Sequence, residues 1–257
     1  MSASSDLNAA QQTPNSSEPV VRAHFQTTLW TVVLNAGRSD SSQARSALAQ
    51  LCQAYWYPLY AFVRRQGYQA HDAQDLTQAF FSRMLEKHAL GQVDREKGKF
   101  RSFLLASLKN FLANEWDKAQ TQRRGGGQEV ISLDHDAAES RYGLEPSHDW
   151  SADRIFERRW ALTLLDQVLA RLRDEYRAEG KSDLFDQLKA SLTGEAGSAP
   201  YAATAERLGM TEGAIKVAAH RLRHRYRELV RAEIAQTVAE TDDVDDELRH
   251  LLTVLGE

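Results

Sequence analysis

The chain has 257 residues, with 32 Lys and Arg against 36 Asp and Glu for a formal net charge of −4. That length holds one large domain or two small ones, and a single cysteine, Cys52, excludes an internal disulfide framework and fits a reducing compartment. The longest apolar run, around 29–34, is far too short to span a bilayer, and the polar N-terminus lacks a signal-peptide core, so a cytoplasmic location is expected.

Residues 1–20 are rich in Ser, Asn, Gln and Pro and poor in apolar side chains, a composition that predicts disorder. A first helix is expected over 23–35, ending at Gly37. Asp40 or Ser41 then caps a long helix with the stripe Ala44, Leu48, Leu51, Tyr55, Leu59, Phe62 and Val63. Pro58 should bend or break it. After a turn at Gly67 a third helix is expected over 72–88, then a charged loop over 91–98. A fourth helix over 99–122 is apolar on one side through Phe103, Leu104, Leu108, Phe111, Leu112 and Trp116, and this stripe assigns Phe103 and Trp116 to the core. The Gly run at 125–127 opens a linker that reaches 151. Further helices are expected over 152–178 and 183–192. No segment alternates with a period of two, so the expected class is all-α.

The most specific signal lies at 202–231. Ala202, Ala205 and Leu208 recur at helical spacing and stop at Gly209, whose freedom at positive φ suits a helix end. Thr211 offers a hydroxyl to cap a second helix, with Glu212 near the positive end of its dipole. Ile215, Ala219, Leu222, Tyr226 and Leu229 form its apolar stripe, while Lys216, His220, Arg221, Arg223, Arg225 and Arg227 fill much of the rest. A helix-turn-helix lays its second helix in the DNA major groove in this way. The overall negative charge conceals a segregation that favours the same reading. Basic residues gather in 95–124 and 216–231, whereas 242–247 (DDVDDE) is nearly all acid.

Two stretches carry a family resemblance. YPLYAFVRRQGYQAHDAQDLTQAFFSRMLEK followed by DREKGKFRSFLLASLKNFLANEWDKAQTQRR resembles region 2 of the extracytoplasmic-function branch of the sigma-70 family. PYAATAERLGMTEGAIKVAAHRLRHRYRELV is similar to that family's region 4. The resemblance implies two helical domains joined by a flexible linker. These are a region 2-like bundle over 21–124, a linker over 125–151, and a region 4-like domain over 152–235 with its helix-turn-helix at 201–229. An acidic extension over 236–257 lies outside the resemblance. The implied function is that of a bacterial transcription initiation factor: it binds core RNA polymerase and directs it to promoters with minus-ten and minus-thirty-five elements.

The same resemblance assigns site residues. Asp72, Asp75, Gln78, Ser82 and Glu86 lie on the polar side of the third helix, which in the family docks on the clamp helices of the largest polymerase subunit. Gln74 and Ala79 stand where relatives commonly carry acids. Phosphorylation of Thr77 or Ser82 would add about −1.5 to −2 charges to this face. Lys97, Lys99, Arg101, Lys109, Asn110, Asn114, Lys118, Arg123 and Arg124 are the expected minus-ten contacts. Thr211, Lys216, Val217, His220, Arg221, Arg223 and Arg225 are those for the minus-thirty-five element. An anti-sigma factor or a regulatory kinase is a possible further partner; the residues do not choose between them.

Other constellations carry less. The glycines at 125–127 lack the strand and helix start of a phosphate loop and suit a hinge. His71, Asp72 and Asp75 suit helix capping better than metal binding, and His220 with His224 lack a third ligand. No cofactor, metal or catalytic centre is expected. The rival reading is a self-sufficient, dimeric helix-turn-helix regulator whose first module senses a signal or another protein. In the tail, Val244, Leu248, Leu251, Leu252 and Leu255 fit an amphipathic helix, read either as a DNA mimic over the recognition helix or as a solubilising tail.

Overall fold

The computed structural model describes residues 29–35, 42–85, 99–121, 135–143, 150–193, 201–240 and 242–256. Among them the regular structure is helical, with no strand and one isolated antiparallel bridge between Lys99 and Val238. The expected disordered segment 1–20 and the loop at 91–98 lie outside the described residues. In chain order the helices are α1 (Leu29–Asn35), α2 (Ser42–Arg65), α3 (Ala70–Leu85), α4 (Phe100–Thr121), α5 (His135–Tyr142), α6 (Ala152–Ala178), α7 (Ser182–Leu188), α8 (Ala190–Thr193), α9 (Tyr201–Leu208), α10 (Glu212–Ala235) and α11 (Asp242–Gly256).

The helical stripe read from the sequence faces inward in α2, where Leu48, Leu51, Tyr55, Leu59, Phe62 and Val63 are buried. α2 lies against α1, α3 and α6, and α6 in turn against α10 and α11. Where α2 meets α6, the Trp160 indole donates to the Tyr55 hydroxyl at 2.9 Å. Burial and the nearby Glu247 charge push the Tyr55 phenol far above its ordinary value, so it stays a neutral partner.

The end of α10 completes the starts of two other helices. The Gln236 carbonyl accepts from Trp30 N at 3.0 Å, and its side-chain oxygen accepts from Leu29 N at 3.0 Å. The Thr237 carbonyl accepts from Phe100 N at 2.9 Å. The first N–H groups of a helix have no partner within it, so residues 236–237 serve α1 and α4 as an external cap. Trp30 packs at a tilt against Phe100 and Phe103, with ring centroids at 5.0 and 5.3 Å, which seals this junction with apolar contact.

Three expectations are corrected and a fourth is narrowed. Of the bend or break expected at Pro58, the break does not occur, since α2 runs through it; Tyr55, Trp56, Tyr57, Leu59 and Tyr60 around it are all buried, and that packing outweighs a cost of about 3 kcal/mol. The stretch read as linker contains α5. Glu139 on α5 accepts from Arg64 Nη2 at 2.7 Å and from the Tyr60 hydroxyl, tying the helix to α2. The helix expected over 183–192 is divided at Lys189, where Leu192 N donates to the carbonyl three residues back at 3.0 Å, a tighter turn. Trp116, assigned to the core, is 61% exposed. It follows Leu112 by four positions, but there the face opens into a cleft that Trp116 lines with Phe62 and Tyr68.

Candidate nucleic-acid interface

Gly209 decides the geometry between α9 and α10. Its φ of +62° is a left-handed conformation that glycine adopts without strain. With it, Met210 N donates to the Ala205 carbonyl at 2.9 Å and Gly209 N to Glu206 at 3.3 Å, closing α9 by a paired C-terminal motif. Thr211 then has extended backbone, and its hydroxyl accepts from Ala214 N at 3.2 Å to start α10. Two helices are thus joined by a three-residue turn. Ile215, Ala219, Leu222, Leu229, Val230 and Ile234 bury one face of α10.

The opposite face of α10 is open. Lys216, Val217, His220 and Arg221 are exposed, at spacings that put them on one strip. Lys216 meets Glu212 one turn earlier at 2.7 Å, and that hydrogen bond raises its pKa, so it stays charged. Val217, half exposed, places an apolar group among these donors. Arg223 and Arg225 differ. Arg223 donates to the Tyr201 hydroxyl at 2.7 Å and to the Ser191 carbonyl at 3.3 Å. Arg225 donates through two nitrogens to Glu175, both at 2.8 Å, and this pairing holds the Glu175 carboxyl below its ordinary value. Both arginines anchor α10 to its neighbours here.

On α4 the expected contacts also separate. Asn110 and Asn114 are exposed with Lys109, whose Nζ bonds the Asp153 carboxylate of α6. Lys109 also lines an open cleft of about 530 Å³ with Phe62, Gln66, Gly67, Tyr68, Leu112, Ala113 and Trp116. Lys97, Arg123 and Arg124 lie outside the described residues, as does the side chain of Lys118.

Arg101 is buried, its side chain 9% exposed. Its Nε and Nη2 donate to the two oxygens of Glu247 at 2.8 and 3.2 Å, and Nη1 donates to Glu157. The guanidinium lies over the Trp160 ring at 4.9 Å. Lys99 Nζ reaches the same Glu247 carboxylate at 3.2 Å, and His250 Nε2 stands 2.9 Å from Glu157. Burial alone would raise the Glu247 carboxyl. The hydrogen bond from Arg101 and the two nearby cations outweigh it and hold the group below its ordinary value. The tail therefore pairs with Lys99 and Arg101, not with the exposed strip at 216–221. Glu247, Glu157 and His250 escaped the sequence reading; the acid run at 242–247 was visible, but nothing in it singled out Glu247.

On α3, Asp72 and Asp75 are exposed and Gln78 and Ser82 half-buried, whereas Ala73, Phe80 and Met84 face the core. Glu86 lies outside the described residues. Thr77 is fully buried, with its hydroxyl donating to the Ala73 carbonyl at 2.7 Å, so no kinase reaches it while α3 is packed.

Among the described residues no group of three or more His, Cys, Asp or Glu is placed to hold a metal ion, and no helix is long and apolar enough to cross a membrane. No family model, curated protein or solved structure matches the chain.

Proposed function

We propose that this protein is a transcription initiation factor of the sigma-70 extracytoplasmic-function kind. It binds core RNA polymerase and directs it to promoters. The observation that carries this reading is the α9–turn–α10 unit, in which a capped helix presents Lys216, Val217, His220 and Arg221 on one open strip. A helix so displayed suits the major groove, where a bidentate contact to a base edge discriminates by about 1–3 kcal/mol. The exposed Asp72 and Asp75 of α3 supply the acidic side that would meet polymerase, where charge complementarity sets encounter rate and register. Asn110 and Asn114 on α4 are the exposed groups that would meet the minus-ten region, with Lys109 beside them paired to Asp153. The chemistry of RNA synthesis then belongs to the polymerase, and this chain selects where it begins.

The test is capture of core RNA polymerase by the purified full chain, followed by run-off transcription on genomic fragments. Association and promoter-specific transcripts are expected. A chain that ignores polymerase and alone protects two half-sites about one helical turn apart would be a dimeric regulator instead.

A further inference from the structure

At the start of α4, Lys99 and Arg101 surround one anion, and that anion belongs to the chain itself. The Glu247 carboxylate takes two roughly parallel N–H bonds from Arg101, at 2.8 and 3.2 Å, and an ion pair from Lys99 at 3.2 Å. Its side chain is 1% exposed. From the other side Glu157 and the Trp160 ring hold the guanidinium in place. A planar guanidinium fixed in this way, with a lysine beside it, matches two oxygens of a phosphodiester as well as two of a carboxylate.

We propose that Lys99 and Arg101 form a DNA phosphate site that α11 keeps filled, so that the C-terminal helix and DNA compete for the same two cations. This rests on the reading that α4 faces promoter DNA. Three features make α11 the part that yields. Its apolar side is buried at Val244 and Leu251 and only partly so at Leu248, Val254 and Leu255, while Leu252 is 66% exposed. Its ion pair with α10, Asp245 to Arg231, is a half-exposed surface pair, a kind of contact that stabilises little. And its first turns carry Asp242, Asp243, Asp245 and Asp246 beside Glu247, so an approaching phosphate backbone repels the helix while attracting the cations beneath it. The site is thus closed in the free protein and opens where DNA is present.

Two measurements on the full chain test this. The first is the affinity of wild type and Glu247→Gln for a fluorescein-labelled duplex of mixed sequence, by anisotropy across a salt series. The substitution keeps the shape and removes the charge. The expected result is binding about tenfold tighter at low salt, with a salt slope steeper by roughly one to two, as one or two added phosphate contacts require. Adding Arg101→Gln to Glu247→Gln should return both quantities toward wild type. The second is hydrogen exchange of the 242–256 amides in wild type, which should accelerate when DNA is added. Equal affinity and slope for wild type and Glu247→Gln, with exchange in 242–256 indifferent to DNA, would overturn the proposal. If circular dichroism shows Glu247→Gln unfolded, the wild-type exchange result decides alone. Loss of DNA binding in Arg221→Ala alongside such silence removes only the competition. Failure of every form to bind DNA or polymerase removes the proposed function with it.

Discussion

α4 and α10 both carry dense positive charge, yet the fold treats the start of α4 and the 216–221 strip of α10 in opposite ways. On α10, Lys216, His220 and Arg221 stand exposed on a strip opposite the buried face. At the start of α4, Lys99 and Arg101 are drawn into a network with Glu247 and Glu157, and Lys109 further along is held by Asp153. A basic residue on either helix is therefore not by itself an open cation. What separates the open strip at 216–221 from Lys99 and Arg101 is whether a carboxylate from another helix lies against the cations, as Glu175 also does at Arg225 on the other part of α10. Glu247 of α11 and Glu157 of α6 hold Arg101 in the first turn of α4, whereas the ion pair of α11 with α10 is Asp245 with Arg231, ten positions beyond Arg221.

The sharpest way to break this comparison is Arg101→Ala. It strands Glu247 and Glu157 without their main partner in a region nearly closed to water. Removing one member of a buried pair costs about 3–5 kcal/mol, so urea unfolding should show a loss of that size, with DNA affinity a secondary effect. A loss below about 1 kcal/mol, the range of surface pairs, would mean that the network is solvated and that the contrast with α10 is false.

Arg221→Ala should do the reverse. Its side chain is exposed, so unfolding should shift by no more than about 0.5 kcal/mol. DNA affinity measured by anisotropy should fall by about 1–3 kcal/mol if the arginine reads a base edge, or the salt slope should fall by roughly one if it meets a phosphate. Unchanged binding would remove Arg221 from the interface.

The smallest effect tests how the strip is aimed. Thr211→Ala removes the bond to Ala214 N at the start of α10. It should cost about 1 kcal/mol in unfolding, and Thr211→Ser should recover most of it. A loss of DNA affinity in the alanine variant that serine does not restore would show that the Thr211 side chain touches DNA directly as well as capping.

Most helix positions were legible because burial enforces a period. The stripes of α2 and α10 and the bounds of α6 follow from apolar spacing alone. The turn between α9 and α10 was legible because Gly209 and Thr211 act through their own backbone and neighbours. α5 was not, since its apolar content is slight and its anchor is the distant pair Arg64 and Tyr60. Trp116 was misplaced because periodicity gives the face of a helix and cannot tell whether that face closes into core or opens into a cleft. The tail was read as amphipathic, and Val244 and Leu251 are buried in α11, but which cations it would cover lay beyond that reading.

By itself, then, the sequence determined the helical class, the capped two-helix unit and the strip of exposed cations on α10, because each depends on residues within a few positions of one another. Only the tertiary structure decided the fate of Arg101. Its partner Glu247 lies 146 positions away, and an ion pair formed across that distance depends on how α4, α6 and α11 meet, which no local pattern encodes.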